Sequence, residues 1–165
     1  MSRKRRSNGF DLKTAVALGV ARATLDAATD LARKKHSVGI TAMKDNSAVQ
    51  GLIGRTEAKL RAARAYHFST ASNAWQEILN TGKLSEQGRA AIRLSATYTI
   101  HQSAEVVETA YHMAGATAVF KSNPFERRFR DMHTIAQQIQ ARDNHFEDVG
   151  KMILTDSVIP RGPTM

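Results

Sequence analysis

The chain has 165 residues, enough for one domain with a sizeable buried core. It contains no cysteine, which excludes disulfide bonds, thiolate metal ligands and thiol nucleophiles. The formal net charge is +9, and the basic run at residues 3–6 supplies part of it, so the remaining excess suits phosphate-bearing ligands as well as nucleic acid.

The N-terminal residues 1–10 are predicted to form a disordered basic arm. Asp11 is a suitable N-cap for a first helix that continues to about His36. Apolar residues at three- and four-residue steps give this helix a stripe that is expected to face the core. The predicted stripe consists of Leu12, Val16, Gly19 or Val20, Ala23, Ala27 and Leu31.

A second helix is predicted from Ser47, a common capping residue, to about Asn80. At a rise of ~1.5 Å per residue it would be about 50 Å long, which is typical of a bundle helix. Its predicted apolar side consists of Leu52, Ile53, Leu60, Ala63, Tyr66, Ala71, Trp75, Ile78 and Leu79.

A third helix is expected to begin after Ser85, because Ser85 followed by Glu86 is a typical N-terminal signal. Gly115 supplies the usual stop at its C-terminus. The predicted buried stripe of this helix consists of Ile92, Ala96, Thr99, Ile100, Ser103, Val107, Ala110 and Ala114.

A fourth helix is predicted to open with Pro124, which suits a first helical position, and to run to about Ala141. Residues 143–154 either continue this helix or bend away from it, and residues 155–165 form an extended tail. The sequence therefore predicts an all-α, antiparallel (up-down-up-down) four-helix bundle over residues 11–154. Helices of this length leave apolar surface for a partner subunit, so a homo-oligomer, a dimer or tetramer, is expected.

No stretch approaches the roughly 20 apolar residues that a membrane-spanning helix needs, so no membrane association is expected. The apolar run at residues 15–21 follows Asp11 and Lys13 and ends at Arg22, which argues against a secretory signal. The predicted location is cytoplasmic. Nucleic-acid binding is not expected, because long alanine-rich helices make poor recognition helices.

Histidines and glutamates on the third helix are the one cluster with metal-ligand chemistry: His101, Glu105, Glu108 and His112. Di-metal bundles use Glu-x-x-His pairs on separate helices, and a second such helix is missing. We therefore predict a solvated, salt-bridging face and no metal. The isolated His67, His133 and His145 are predicted to be structural.

Residues 123–134 carry the most informative motif, Asn-Pro-Phe-Glu-Arg-Arg-Phe-Arg-Asp-Met-His-Thr. Arginines and an aspartate are crowded at one helix start beside aromatic residues, which simple packing does not require. Two interpretations stay open at this point: an Arg/Asp ion-pair network that ties the loop to the helix, and an anion-binding site.

This motif, together with Ala114-Gly115-Ala116 before it, resembles the C-terminal domain of the acyl-CoA dehydrogenase superfamily. The resemblance is closest to the flavin-dependent monooxygenase branch of this superfamily, and it covers roughly residues 11–154. It implies a tetramer whose helical domains pack together, with FAD or FMN lying between this domain and neighbouring elements. The matching positions Arg127, Arg130 and Asp131, with Gln138 on the same helix, are the candidate cofactor-binding residues, and no catalytic residue is assigned.

Several positions depart from the family pattern. Gln137 and Gln138 stand where hydroxylases of this branch often have a histidine, and residues 138–140 offer no carboxylate base of the dehydrogenase kind. The Arg-Phe-Gly flavin motif of dehydrogenases is replaced by residues 43–47. Whole family members also carry an N-terminal helical domain and a central β domain.

The resulting expectation is a C-terminal helical domain of a flavin-dependent oxidoreductase. A monooxygenase is favoured over a dehydrogenase. The domain is expected to be inactive alone, as a separately encoded piece or a fragment, and to need the other two domains, possibly on a companion chain. The alternative is a non-catalytic helical scaffold or anion-binding interaction module.

Overall fold

The computed structural model of the chain describes residues 9–35 and 42–155. These residues contain five α-helices and no strand: α1 (Gly9–Lys34), α2 (Ser47–Thr81), α3 (Glu86–Ala114), α4 (Phe125–Ala136) and α5 (Asn144–Thr155). The predicted all-α fold is confirmed, whereas the exact four-helix up-down arrangement stays a prediction. The predicted arm before residue 9, the helix end at His36 and the tail after Thr155 lie outside the described residues.

Helix α1 turns a different face to the core from the one predicted. Leu12 is 70% exposed and Val16 is 46% exposed, whereas Leu25 is fully buried. The buried stripe consists of Thr14, Ala17, Leu18, Ala21, Thr24, Leu25, Ala28 and Ala32. The predicted stripe was built from apolar residues alone, and it left out the buried Thr14 and Thr24. The Thr24 hydroxyl donates to the Val20 carbonyl at 2.6 Å, which satisfies it inside the helix.

Helix α2 is capped by Asn46 and not by the predicted Ser47. The Asn46 side-chain oxygen accepts hydrogen bonds from the backbone N–H groups of Ala48 and Val49, at 2.9 and 3.3 Å. At the other end, Gly82 adopts the left-handed φ of 73°, which favours glycine, and its N–H bonds to the Ile78 carbonyl.

Apart from Leu60, the buried face of α2 is lined by alanines and polar side chains: Thr56, Ala63, His67, Thr70 and Ala74. Trp75, Ile78 and Leu79, which the sequence placed on the buried side, are exposed. Polar side chains can occupy the interior here because their hydrogen bonds are met locally. The Thr70 hydroxyl, for example, donates to the Tyr66 carbonyl at 2.8 Å.

Helix α3 is the centre of the fold and packs against α1, α2, α4 and α5. Its predicted boundaries are confirmed: the Ser85 hydroxyl accepts from the Gly88 N–H at 3.0 Å, and Gly115 ends the helix with φ 59°. Its predicted stripe is buried except for Ile92, which is half-buried. A helix surrounded on several sides needs this continuous burial.

Helix α4 ends at Ala136, five residues earlier than predicted, and α5 is a separate helix. Gln138 is extended, and a 3₁₀ turn at Ile139–Ala141 follows it. The buried Thr97 hydroxyl of α3 donates to the Gln140 carbonyl at 2.8 Å. This tertiary hydrogen bond holds the carbonyl in the turn, where a continuous helix would have used it internally.

Among the described residues, no helix is both long and apolar enough to cross a membrane.

Candidate functional site

Helix α4 is anchored by one face and presents the opposite face outwards. Phe125 and Met132, seven residues apart, are both buried, and Phe125 packs in a cluster with alanines of α1, α3 and the following turn. Arg127 and Arg130 lie on the other side, with side chains 83% and 70% exposed. The sequence motif therefore becomes a guanidinium-bearing surface on α4.

Each of these arginines has a carboxylate partner one turn away. The Arg127 Nε lies 3.7 Å from Asp131 Oδ2, and the Arg130 Nε lies 2.7 Å from Glu126 Oε1. Exposed ion pairs of this kind contribute little to stability. Ion pairs are thus present, but both lie within α4 and neither ties the preceding loop to the helix, and they leave the guanidinium groups accessible to a ligand.

Arg128 differs from Arg127 and Arg130 in its contacts. It is half-buried, and its Nη1 donates to the Ala23 carbonyl of α1 at 2.8 Å. Sequence reasoning treated the arginines as one group, although the three-residue step from Phe125 to Arg128 places them on the same side of a helix. Arg128 links α4 to α1.

Gln138, the fourth predicted cofactor-binding residue, follows the end of α4. Its Oε1 accepts from Lys13 Nζ of α1 at 3.1 Å, and Gln140 Oε1 accepts from the same ammonium group at 3.1 Å. Sequence reasoning missed Lys13, because a separation of 125 residues carries no local signal. Lys13 adds a positive charge beside the end of α4.

The histidines and glutamates of α3 have separate protein partners. His101 Nε2 donates to the Ala141 carbonyl at 2.7 Å, Glu105 pairs with Lys59, and Glu108 lies 3.8 Å from His112. In the part of the chain that the structure describes, no three metal-ligating side chains are gathered at one point. We therefore place the candidate site on α4.

Residues 12–142 match the family model described as acyl-CoA dehydrogenase, C-terminal domain. The chain belongs to this family. The match covers α1 from Leu12 onwards, α2 to α4 and the turn after α4, so the resemblance seen in the motif around Arg127 and Asp131 is confirmed. Helix α5 lies beyond the matched residues.

Two curated relatives of this acyl-CoA dehydrogenase-like domain are named indole-3-acetate monooxygenase. The one from Pseudomonas putida is 30% identical over 146 residues, covering 88% of this chain and 38% of that protein. The one from Acinetobacter baumannii is 27% identical over 138 residues, covering 83% of this chain and 36% of that protein. The chain thus spans less than two-fifths of the curated relatives it matches.

Solved structures share the fold of this acyl-CoA dehydrogenase-like domain. XiaF from Streptomyces sp., in complex with FADH2 and glycerol, superposes with a TM-score of 0.82 at 18% identity, over 91% of this chain and 39% of that chain. The HsaA monooxygenase from M. tuberculosis gives a TM-score of 0.77 at 19% identity, over 93% of this chain and 38% of that chain. These identities show the fold.

Proposed function

We propose that this chain acts as the C-terminal helical domain of a flavin-dependent monooxygenase and contributes the outer face of α4 to a flavin site. The observation that carries the proposal is the pair of exposed guanidinium groups of Arg127 and Arg130 on a helix anchored by Phe125 and Met132. The relatives named monooxygenases and the XiaF complex with FADH2 support it.

The donor set fits the phosphate part of FAD or FMN. A guanidinium group offers parallel N–H donors that match phosphate oxygens, and both groups are exposed enough to reach a ligand. Asp131, whose carboxylate lies near Arg127, would keep that side chain oriented. Gln138, held by Lys13, would add an amide that can donate to a ring carbonyl or accept from a ring N–H.

The chain is proposed to be inactive alone. A bound flavin would supply the redox chemistry, while Arg127, Arg130 and Gln138 would bind and orient it. Arg127 and Arg130 lie on the outer surface of α4 and Gln138 follows its end, whereas a flavin pocket needs walls on several sides. The other walls are proposed to come from the N-terminal helical and β domains, on this or a companion chain, and from a second subunit of a homo-oligomer.

A chimera tests the proposal. Residues 12–155 replace the matching C-terminal segment of the Pseudomonas putida relative, and FAD binding is measured by flavin fluorescence. The folded chimera is expected to retain FAD, and Arg127→Ala with Arg130→Ala to raise Kd by about tenfold or more. The matched control is Arg33→Ala, which removes an exposed arginine paired with Asp30 on α1.

Two outcomes would overturn the flavin proposal: a folded chimera that takes up no flavin, and a double variant that binds FAD as tightly as the parent. The alternative, a non-catalytic helical scaffold in which the arginines serve only ion pairs, is supported by the pairs with Asp131 and Glu126. It predicts that the double variant of the full chain unfolds more readily. The flavin proposal predicts an unchanged melting curve.

A further inference from the structure

A buried polar cluster joins α5 to the rest of the fold. Arg93 and Thr97 of α3, Gln140 of the 3₁₀ turn and His145 of α5 are all buried. Thr97 Oγ1 lies 2.9 Å from His145 Nδ1, and Arg93 Nη1 lies 3.0 Å from Oδ2 of Asp148. Polar contacts in a dry interface depend strongly on the protonation state of each partner.

The hydrogen-bond pattern fixes the tautomer of His145. The Thr97 hydroxyl has a single proton, which it donates to the Gln140 carbonyl at 2.8 Å. The proton between Thr97 and His145 must therefore sit on His145 Nδ1, which donates to Thr97 Oγ1. The neutral imidazole thus carries its proton on Nδ1.

The surroundings of His145 oppose its protonation. Burial lowers the pKa of the imidazole below its ordinary value of 6.5, and the positive charge of Arg93 on α3 lowers it further. The positive charge of Arg142, in the connection before α5, also lowers this pKa. A hydrogen bond with the Gln140 backbone and the negative charge of Asp148 on α5 raise it.

His101 of α3 is a second histidine that faces the start of α5. Its Nε2 lies 3.7 Å from Asp143 Oδ1, and its ring contacts Phe146 edge-on, with ring centroids 5.5 Å apart. Any pH response of α5 must therefore be assigned to His145 or His101 by experiment.

Within residues 9–35 and 42–155, few apolar contacts hold α5 besides this cluster. Val149 packs with Ala90, and the half-buried Leu94 and Met152 border them. Ile153 and Leu154, at the end of α5, are exposed. A helix attached by one small apolar cluster, one aromatic contact and a buried polar cluster is an element for which local opening costs less than global unfolding.

We propose that protonation of His145 releases α5 from α3, so that the C-terminal helix is an acid-sensitive element of this domain. A charged imidazole would lie buried beside the guanidinium of Arg93, and release would return it to water. The proposal stands independently of flavin binding.

The sign of the pH effect follows from the lowered pKa. The released imidazole titrates at its ordinary value of 6.5, above the docked one. Docking of α5 is therefore strongest above pH 6.5. As the pH falls, its equilibrium constant decreases by up to about tenfold per pH unit, until the pKa of the docked imidazole is reached.

Hydrogen–deuterium exchange of the full chain between pH 7.5 and 5.0, corrected for intrinsic exchange rates, tests the proposal. The amides of residues 144–155 are expected to lose about tenfold or more of their protection, while those of α3 keep theirs. His145→Asn places a non-titrating amide donor near the Nδ1 position and should abolish the response. His101→Gln, which keeps a donor for the Ala141 carbonyl, should retain it.

Protection of α5 that is independent of pH in the wild-type chain would overturn the proposal. So would a response that disappears in His101→Gln and persists in His145→Asn. If α5 stays undocked in His145→Asn at every pH, NMR titration of His145 in the wild-type chain tests the proposal instead. A midpoint at or above the ordinary 6.5 contradicts the proposal, and a lower midpoint supports it.

Discussion

Buried hydroxyl groups do much of the packing in this domain. Thr97, Thr99 and Ser95 of α3 are fully buried. The Thr99 hydroxyl donates to the Ala63 carbonyl of α2 at 3.1 Å, and Ser95 Oγ lies 3.2 Å from His67 Nδ1. Small hydroxyl residues let helices approach closely while their polar atoms find partners, so hydroxyl side chains share the core with the apolar ones.

Glu57 of α2 couples the stability of the domain to acid. It accepts hydrogen bonds from Arg22 Nη1 of α1 at 2.5 Å and from Arg61 Nε at 2.6 Å. The hydrogen bond from Arg22, followed by that from Arg61, lowers the pKa of the Glu57 carboxyl below its ordinary 4.5. A lowered carboxyl pKa adds stability above the ordinary value, and this contribution is lost as the pH falls through the lowered pKa.

Glu57→Gln is expected to lower the free energy of unfolding at pH 7 by about 1 kcal/mol. The difference from the wild-type chain should shrink as the pH falls below 4.5, because protonated Glu57 is also neutral. Urea titrations from pH 7 to pH 3 measure this. Glu108→Gln, at an exposed site on α3, is the control and should change stability by less than about 0.5 kcal/mol. A difference constant with pH would contradict the assignment.

At the scale of elements, the orientation of α1 shows how a periodic pattern can be assigned to the wrong face. Apolar residues of α1 occur on several sides, so the spacing of Leu12 and Val16 fits a helix as well as the spacing of Leu18 and Leu25 does. The choice is made by α3, the central helix, whose surface accepts Leu25 beside Ile100 and Val107. Helix packing, and not the pattern itself, sets the rotation of α1.

Leu25→Ala is expected to lower the free energy of unfolding by about 2–5 kcal/mol, because it opens a cavity in the main apolar cluster. Leu12→Ala, the same change on the same helix at a site that is 70% exposed, should change it by less than about 0.5 kcal/mol. Chemical denaturation followed by circular dichroism measures both. Equal effects of the two substitutions would show that α1 is rotated differently.

At the scale of the whole molecule, apolar side chains are left uncovered on α2. Phe68, Trp75 and Leu79 are 54%, 60% and 60% exposed, and their spacing places them on one side of the helix. Uncovered apolar stripes of this kind are typical of subunit interfaces. This is consistent with the proposed homo-oligomer.

We expect the full chain to self-associate with increasing concentration and the emission of Trp75, its single tryptophan, to shift to shorter wavelength. Sedimentation velocity and fluorescence across a concentration series measure this. Phe68→Ser with Leu79→Ser should weaken the association about tenfold or more, because two apolar side chains are lost. Ile153→Ser with Leu154→Ser, at the exposed end of α5, is the matched control. A chain that stays monomeric throughout would contradict the prediction.

Local signals in the sequence determined the all-α class and most of the helix boundaries. Ser85, Gly82 and Gly115 act within one turn of their own position, so their effect can be read without the fold. The motif from Asn123 to Thr134 also marked both the family and the segment that bears the candidate site.

Only the tertiary structure decided which face of each helix is buried, where α4 ends, and which of its arginines contact another helix and which face outwards. Arg128 is drawn to α1 by the Ala23 carbonyl, and the Gln140 carbonyl is held by Thr97 of α3. These contacts join residues far apart in the chain, and no local propensity encodes them. Packing around α3 settles such choices because burial and hydrogen bonding are satisfied jointly, by several helices at once.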